Sequence, residues 1–296
     1  MRQHTFLAFF LLLALNQLEA QYTEVGLTAG YCSYVGDLQN RIQSGTYKFG
    51  YGVMGTYNAS TRVFYRAMAS KGQFAGSDQY SNDYLTRLRN LSVVTDFYDI
   101  SAQVGFNLTP FEVRADKMAA PYLYAGIGGM WFDPKAQLNN KWVSLQPLGT
   151  EGQLLENSTT SAYNRLALMF PVGGGFRFAM TERLNLGIDV GVRFALTDYL
   201  DDVSGLYPDV IKLSVQNSDA AALSFRTPEL FVDQTLDNPV GKARGDAYAK
   251  DRYFYGGITL TYSLSGGYDM EFDTRYQIFK SKNKLQPPMP TELEKK

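Results

Sequence analysis

The sequence predicts an all-β protein, an eight-stranded antiparallel up-and-down transmembrane β-barrel with long extracellular loops and short periplasmic turns. Three observations predict this fold class. Apolar and polar residues alternate along eight segments, as they do in strands that bury one face. The connections between these segments are alternately long and short. The composition, with 21 Tyr, 19 Phe and 27 Gly, also suits an all-β chain with aromatic belts.

The eight predicted strands follow the period-two alternation. They cover residues 24–32, 49–58, 62–69, 98–108, 121–132, 165–180, 184–197 and 253–264. The clearest, 184–197, places Ile188 on one side and Asp189 on the other. Segment 121–132 is fairly apolar on both sides, so its orientation stays open. Pro171 removes a ladder donor from the sixth strand and predicts a bulge there.

The connections divide into two classes. Short connections cover 58–61, 109–120 and 180–185, and long connections cover 37–47, 72–92, 133–163 and 198–251. In an up-and-down meander, alternate connections lie at the same end of the barrel. All long loops are therefore predicted at one end and all turns at the other, as in outer-membrane barrels.

The ends of the chain differ from its middle. Residues 1–20 resemble a secretory signal, with Arg2, an apolar run too short to span a bilayer and a cut expected after Ala20. Residues 21–266 form the predicted barrel. Residues 267–296 lose the alternation and end in charges and prolines, which indicates an extended tail on the periplasmic side.

The composition also excludes several classes of chemistry. The only histidine, His4, lies in the predicted signal, so triads, Cys-His pairs and imidazole zinc sites are not expected. Cys32 is the only cysteine and cannot form an internal disulfide. A formal net charge of -1 without a basic stripe gives no sign of nucleic-acid binding. We expect no enzyme activity, no cofactor and no metal.

Alternation alone does not say which side of each strand faces lipid. Strand 184–197 is longer than the about 5 or 6 residues of a typical soluble strand, and a tilted membrane strand needs about 9 to 11. Charges of both signs share the polar side at mid-strand, which suits a filled lumen. Aromatic residues near strand ends suit the two membrane boundaries: Tyr22, Tyr57, Phe97, Tyr98, Phe111, Trp131, Tyr199 and Tyr262. A secreted lipocalin-like barrel, apolar inside, is the alternative.

The charged residues on the polar side form the predicted lumen network. They are Glu24, Arg62, Arg66, Asp99, Arg165, Arg177, Asp189 and Arg193. Asp189 and Arg193 are expected to be the closest neighbours, because they lie on one face of one strand. The network is interpreted as a structural plug, since enclosed charges mostly satisfy one another. Catalysis or ion conduction by these groups is the other interpretation.

An acidic loop follows the seventh strand. Its carboxylates are Asp198, Asp201, Asp202 and Asp209. Hard oxygen ligands could hold calcium there, but the spacing does not fit an EF-hand loop. Aspartate in turns more often caps the backbone, so the loop is a candidate site only.

Three stretches resemble a known family: "EVGLTAGYCSYVGDL" at 24–38, "LTDYLDDVSGLYPD" at 196–209 and "YFYGGITLTYSL" at 253–264. They resemble the DUF6089 family, which includes the PorG-like outer-membrane components of the type IX secretion system, and the likeness covers about 22–264. Its characteristic motifs are Tyr-x-Gly-Asp-Leu at 34–38 and Thr-Asp-Tyr-Leu-Asp-Asp at 197–202.

The resemblance implies an assembly or anchoring role. The implied partners are outer-membrane lipid, a PorK-like lipoprotein and a PorN-like ring subunit in the periplasm. The family has no catalytic residues to carry over. The tail at 267–296 is hypothesised to contribute to docking on the ring. A general outer-membrane barrel or surface adhesin that binds through its long loops is the alternative function.

Overall fold

The computed structural model describes residues 22–112, 118–158, 160–231, 233–234 and 236–264. The predicted signal at 1–20 and the predicted tail at 267–296 lie outside these residues. Within the described chain, the strands are β1 (Tyr22–Val35), β2 (Lys48–Asn58), β3 (Val63–Ser77), β4 (Ser92–Asn107), β5 (Ala119–Leu138), β6 (Lys141–Ser144), β7 (Leu166–Ala179), β8 (Leu184–Ala195) and β9 (Arg252–Ser263).

Eight of these strands close into a barrel, which confirms the predicted fold class. Each pairs antiparallel with its neighbours in the order β4, β3, β2, β1, β9, β8, β7, β5, and β4 also pairs with β5 to complete the circle. The short β6 pairs only with the upper part of β5. Closure leaves the eight barrel strands without a free edge, so their backbone groups are paired, as a bilayer interior requires, except where the β5–β7 pairing is interrupted beside Pro171.

The strands β3, β4 and β5 continue past the ends that the sequence predicted. β3 runs to Ser77 and β4 begins at Ser92, so the connection predicted at 72–92 shortens to 78–91. β5 runs to Leu138 and turns into β6. These strands are longer than predicted because their backbone pairing continues beyond the apolar band. The wall therefore extends above the apolar band, and its inward residues there, such as Phe74 and Val93, join the hydrophobic cluster beneath the cap.

Pro171 interrupts pairing without adding a residue. The β5–β7 ladder skips from Ala125 opposite Val172 to Gly128 opposite Met169, so both strands advance by three residues. The predicted bulge is therefore wrong. Proline lacks the N–H that the ladder needs, but the pairing of β7 with β8 is continuous through Pro171 and holds the register.

The connections gather at two ends, as predicted. The turn end carries the short connections, and the loop end carries the long ones. The loop-end segments 36–47, 78–91, 145–165 and 196–251, here called the cap, include the helices α1 (Tyr84–Arg89), α2 (Val210–Gln216) and α3 (Ser218–Ser224). Cap residues Leu38, Leu200 and Leu223 pack with inward residues of the wall. The cap therefore covers the lumen at the loop end.

The two faces of the wall have opposite chemistry. Leu27 and Ile188 are about 60 % exposed on the outside, whereas Asp189 and Arg193 are buried inside. In β5, Tyr122 and Tyr124 point inward, which settles the orientation that the sequence left open. A soluble barrel is apolar inside, so this wall is that of a membrane barrel. The lipocalin-like alternative is wrong.

The predicted aromatic belt is only partly present. Tyr57, Tyr98 and Tyr262 face outward. Phe97 and Phe111 instead are buried inside, the former because it is the sequence neighbour of Tyr98 and so faces the other way. Tyr199 lies in the cap, where its ring stacks on another tyrosine. Among the described residues, no helix has the length and apolarity to cross a membrane.

Candidate functional site in the charged lumen and its cap

Asp189 is the central acceptor of the lumen. Its carboxylate accepts hydrogen bonds from Arg66 Nη1 at 2.7 Å and from the hydroxyls of Tyr122 and Tyr124, both at 2.8 Å. Arg66 also donates through Nε to Gln103. Since β3 and β8 stand opposite each other in the ring of eight strands, this pair connects two sides of the wall directly.

A second ion pair joins Arg193 and Asp99. Arg193 Nε lies 3.6 Å from Asp99 Oδ2, and both side chains are almost fully buried. Asp99 also accepts from Ser70 and from the hydroxyl of Tyr253. The predicted pairing of Asp189 with Arg193 is therefore wrong. Each of the two finds its partner across the lumen, on another strand.

Glu24 occupies the turn end of the lumen. It accepts from Asn58 and Asn185 at 3.2 Å and from Thr261 at 3.0 Å, so it joins β1 to three other strands. Arg177 donates to Asn58, and its guanidinium lies 4.0 Å from the centre of the Phe111 ring. The cavity between these groups measures about 30 Å³, so side chains fill the lumen here.

Two residues of the predicted network lie outside the lumen. Arg62 is exposed in the turn before β3, where it donates to the carbonyl of Leu108. Arg165 precedes β7 at the loop end and pairs with Asp133 at 3.1 Å while partly exposed. Their prediction as lumen residues is wrong because each lies one residue before its strand, where the alternation no longer fixes the side chain's direction.

The two family motifs meet in the cap. The hydroxyl of Tyr34 lies 2.6 Å from Asp201 Oδ2 and 2.8 Å from Asp251 Oδ1. At Gly36 a Cβ would lie 1.9 Å from Asp251 Oδ1 and 2.0 Å from the Tyr34 hydroxyl, so a side chain has no room there. Asp37 accepts the N–H of Asp246. The motif after the first strand thus holds the loop that follows β8.

The carboxylates of the acidic loop have separate roles. Asp201 bonds Tyr34, Asp202 accepts from Thr150 and from Tyr163 at 2.7 Å, and Asp209 caps the start of α2. Asp198, which precedes the other three in the chain, is also buried. Within the described ranges, no group of three or more histidine, cysteine or acidic side chains could hold a metal. The geometry therefore does not fit the calcium alternative.

Arg244 is a cap residue that the sequence did not single out. It is 2 % exposed, and its Nη1 lies 3.0 Å from Glu151 Oε1. It also donates to the carbonyl oxygens of Asp202 and Ser224. Glu151 in turn accepts the N–H of Ser204 at 2.9 Å. No alternation marks the 198–251 loop, so no sequence signal distinguished this arginine from exposed ones.

Burial changes the titration of the cap acids. Desolvation raises the pKa of Asp198 to about 7 and that of Asp202 to about 6. It also raises the pKa of Asp201, with added repulsion from Asp37, and that of Asp251, with added repulsion from Asp201. The Tyr34 hydroxyl, which lies within hydrogen-bond distance of both Asp201 and Asp251, opposes this rise in the pKa of each.

We expect the cap to loosen as pH rises from 5 to 8.5. These carboxyls have a higher pKa in the folded cap than the unfolded value of about 3.9, so their protonated forms stabilise the cap. That contribution is complete below the unfolded pKa and is lost as pH passes through the folded values, about 6 for Asp202 and about 7 for Asp198. Amide hydrogen exchange, corrected for its intrinsic pH dependence, measures the loosening.

The strands of the wall serve as the internal reference for this measurement. Their protection should stay constant over the same pH range, and Asp198→Asn should flatten the response of the cap. Equal pH dependence of cap and wall, or cap protection that increases with pH, would contradict the assignment.

The chain matches one protein-family model, described as a domain of unknown function, DUF6089, over residues 3–220. The chain belongs to the DUF6089 family. The match includes the motifs at 34–38 and 197–202, whose residues meet at Tyr34 and Asp201. The match ends before β9, so the stretch at 253–264 that resembled the family in the sequence lies outside it. The resemblance was expected to cover about 22–264, whereas the family model matches 3–220.

Solved structures with a similar chain trace are small bacterial barrels. Neisserial surface protein A is 10 % identical with a TM-score of 0.40, and it covers 82 % of this DUF6089 chain and 99 % of its own. OprG of Pseudomonas aeruginosa is 9 % identical with a TM-score of 0.39, covering 85 % and 100 %. Ail of Yersinia pestis is 9 % identical with a TM-score of 0.34, covering 82 % and 100 %. None of the curated protein sequences compared with the chain matches it.

Proposed function

We propose that the chain is a non-enzymatic, PorG-like integral protein of the bacterial outer membrane. It serves as an assembly and anchoring component of the type IX secretion system, associated with a periplasmic ring of PorK-like and PorN-like subunits. The observation that carries this proposal is the filled lumen beneath a closed cap. Such a barrel acts through its outer surfaces, because its interior is occupied by its own side chains.

The lumen contacts support a structural role. Asp189, Asp99 and Glu24 each accept two or more hydrogen bonds from other strands. Their charges are therefore used to hold the wall together, and buried pairs of this kind fix registry. Family membership supports the partner assignment, since the resemblance to PorG-like proteins rests on motifs that the family match includes.

The direction of the chain supports a contact with the ring at the turn end. β9 ends at the turn end, where the N–H of Ser263 donates to Arg183. The residues after 264 therefore start from the turn end. With the long loops outside the cell, that end lies in the periplasm, on the side where the proposed ring partner is found.

Affinity purification from the native membrane tests this function. The full chain with an affinity tag is extracted in detergent from the outer-membrane fraction, and co-purifying proteins are identified by mass spectrometry. We expect the PorK-like and PorN-like ring subunits with the full chain, and a several-fold loss of both when 267–296 is deleted. Deletion that leaves their recovery unchanged removes the tail from the interface. Absence of ring subunits from the full-chain sample contradicts the proposed function.

The cap offers a second candidate, adhesion through the loops. Val215 and Tyr248 are 86 % and 95 % exposed, and Ile211 lies one helical turn before Val215. Apolar side chains that lie together on an exposed face, as Ile211 and Val215 do on α2, suit a protein contact. Adhesion predicts that Val215→Ser weakens attachment of cells to a surface while ring recovery stays constant.

A further inference from the structure

An outward row of side chains crosses four strands near the loop end of the barrel. Tyr51 of β2 lies opposite Lys71 of β3, Lys71 lies opposite Tyr98 of β4, and Tyr98 lies opposite Trp131 of β5. Lys71 Nζ lies 4.9 Å from the centre of the Tyr98 ring. Tyrosine and tryptophan mark the membrane boundary, and lysine there extends its ammonium toward the headgroups. The row therefore places a cation at headgroup level.

A polar cleft lies directly above this row. It has a volume of about 230 Å³ and is lined by Lys48, Gln73, Val94, Asp96, Lys135 and Trp142. Gln73 and Asp96 are the next outward residues after Lys71 and Tyr98 on their strands. The cleft and the row thus form one continuous surface on the outside of the wall.

This surface carries more positive than negative charges. Lys135 lies 2.6 Å from Asp96 and 3.4 Å from Asp133, and Arg165 lies 3.1 Å from Asp133, so two cations and two carboxylates neutralise one another. Among the described residues, neither Lys48 nor Lys71 has a carboxylate oxygen within 4 Å. Two positive charges therefore remain for an anionic partner.

An apolar groove continues below the row toward the turn end. It has a volume of about 670 Å³. Its floor includes Gly55, Ala67 and Ala69, and Ala69 is the next outward residue below Lys71. Larger residues border it: Val25, Leu27, Val53, Ile100, Leu184, Leu260 and Tyr262. A groove of this kind in the lipid-facing wall fits an acyl chain.

We propose that this surface binds one phosphorylated lipid of the surrounding leaflet. The phosphate contacts Lys48 and Lys71, where the unpaired charge lies, and an acyl chain lies in the groove beneath them. Charge-assisted hydrogen bonds from ammonium groups to phosphate oxygens supply the specificity for the headgroup. A free anion would use only the cleft, whereas a lipid uses both parts. The proposal rests on the proposed outer-membrane location, with the loop end in the outer leaflet.

The two tryptophans of the chain make the site directly measurable. They are Trp131, in the row, and Trp142, in the cleft, and the sequence contains no others. The full-length protein in uncharged detergent micelles is titrated with bisphosphorylated lipid A while tryptophan fluorescence is recorded. The same titration is repeated with dephosphorylated lipid A and with inorganic phosphate. We expect saturable binding of the phosphorylated lipid, and binding weaker by about tenfold or more for each of the other two.

Variants then separate the two parts of the site. The pair Lys48→Gln and Lys71→Gln should weaken binding of the phosphorylated lipid by about tenfold, and Ala69→Phe, which fills the groove, should weaken both lipids. Lys242→Gln, at an exposed cap lysine, is the matched control and should bind as the unaltered protein does. Resistance of each unheated variant to unfolding in SDS verifies that the barrel is folded.

Three results would overturn the proposal. They are equal affinity for the two forms of lipid A, equal affinity of the double lysine variant and the control, and saturation by inorganic phosphate at the concentration at which the lipid saturates. The last would show a free-anion site. Because the assay uses purified protein, none of these results depends on whether the ring subunits co-purify with the chain.

Discussion

Replacing Asp189 with alanine is expected to lower the free energy of unfolding of the barrel by about 3–5 kcal/mol. The carboxylate is 4 % exposed, and it is the ion-pair partner of Arg66 at 2.7 Å. Without it, the guanidinium and the hydroxyls of Tyr122 and Tyr124 stay buried with their main acceptor removed. An unpaired buried charge is more costly than a missing surface contact, so this is the largest effect we expect in the wall. Urea unfolding of the protein in detergent, followed by tryptophan fluorescence, measures it.

A double-mutant cycle distinguishes the lost pair from a general packing defect. Arg66→Met removes the other partner, so the combination with Asp189→Ala should be less destabilised than the sum of the single variants by about 1–3 kcal/mol. Val190→Ala, at the neighbouring lipid-facing position, is the matched control and should change stability little, since it is 55 % exposed to the surrounding lipid. Additive effects of the two lumen substitutions would show that the ion pair is not an energetic unit.

The wall of the barrel is the part of the structure that the sequence predicts best. Alternation is local information, so Ile188 and Asp189 reveal their faces without knowledge of any other strand. The partner of each buried charge cannot be read in this way, because it depends on how the barrel closes and on the register between its strands. Arg66 and Asp189 are 123 positions apart, and nothing in either segment indicates that they meet.

Strand ends are the second place where prediction fails, for a related reason. Arg62 and Arg165 fit the alternation of β3 and β7, yet each precedes the first paired residue of its strand. The carbonyl of each arginine still accepts from the neighbouring strand, but its long side chain turns to solvent or a local acceptor instead of the lumen. The carbonyl of Leu108 and the carboxylate of Asp133 supply those acceptors.

The cap shows why two short motifs can mark a family when most of its loops carry no pattern. Position 36 requires glycine because Tyr34 and Asp251 occupy the space that a side chain would need. The hydroxyl of Tyr34 is held in turn by its hydrogen bonds to Asp201 and Asp251. These residues come from three separate regions of the chain, so their contact closes the cap on β1. The sequence showed both motifs but not their meeting, because a contact between loops has no periodic signal.

Arg244→Ala is expected to open the cap while the wall stays folded. The substitution leaves the buried carboxylates of Glu151 and Asp202 without their cation, at a local cost of about 3–5 kcal/mol. It also removes donors to the carbonyl oxygens of Asp202 and Ser224, which hold distant parts of the 196–251 segment together. We expect amide exchange in 145–165 and 196–251 to accelerate by roughly 100-fold or more, since about 1.4 kcal/mol corresponds to a factor of ten.

Exchange in the strands of the wall should remain unchanged in Arg244→Ala, because their pairing does not include this side chain. Arg87→Ala is the matched control: its guanidinium is exposed, donates to the carbonyl of Ser81 and should leave cap exchange unaffected. Adding Glu151→Gln to Arg244→Ala removes one of the two uncompensated charges and should recover part of the protection. Equal acceleration in cap and wall would mean that Arg244 supports the whole barrel, and no acceleration in either would mean that the cap is held by its apolar contacts with the wall.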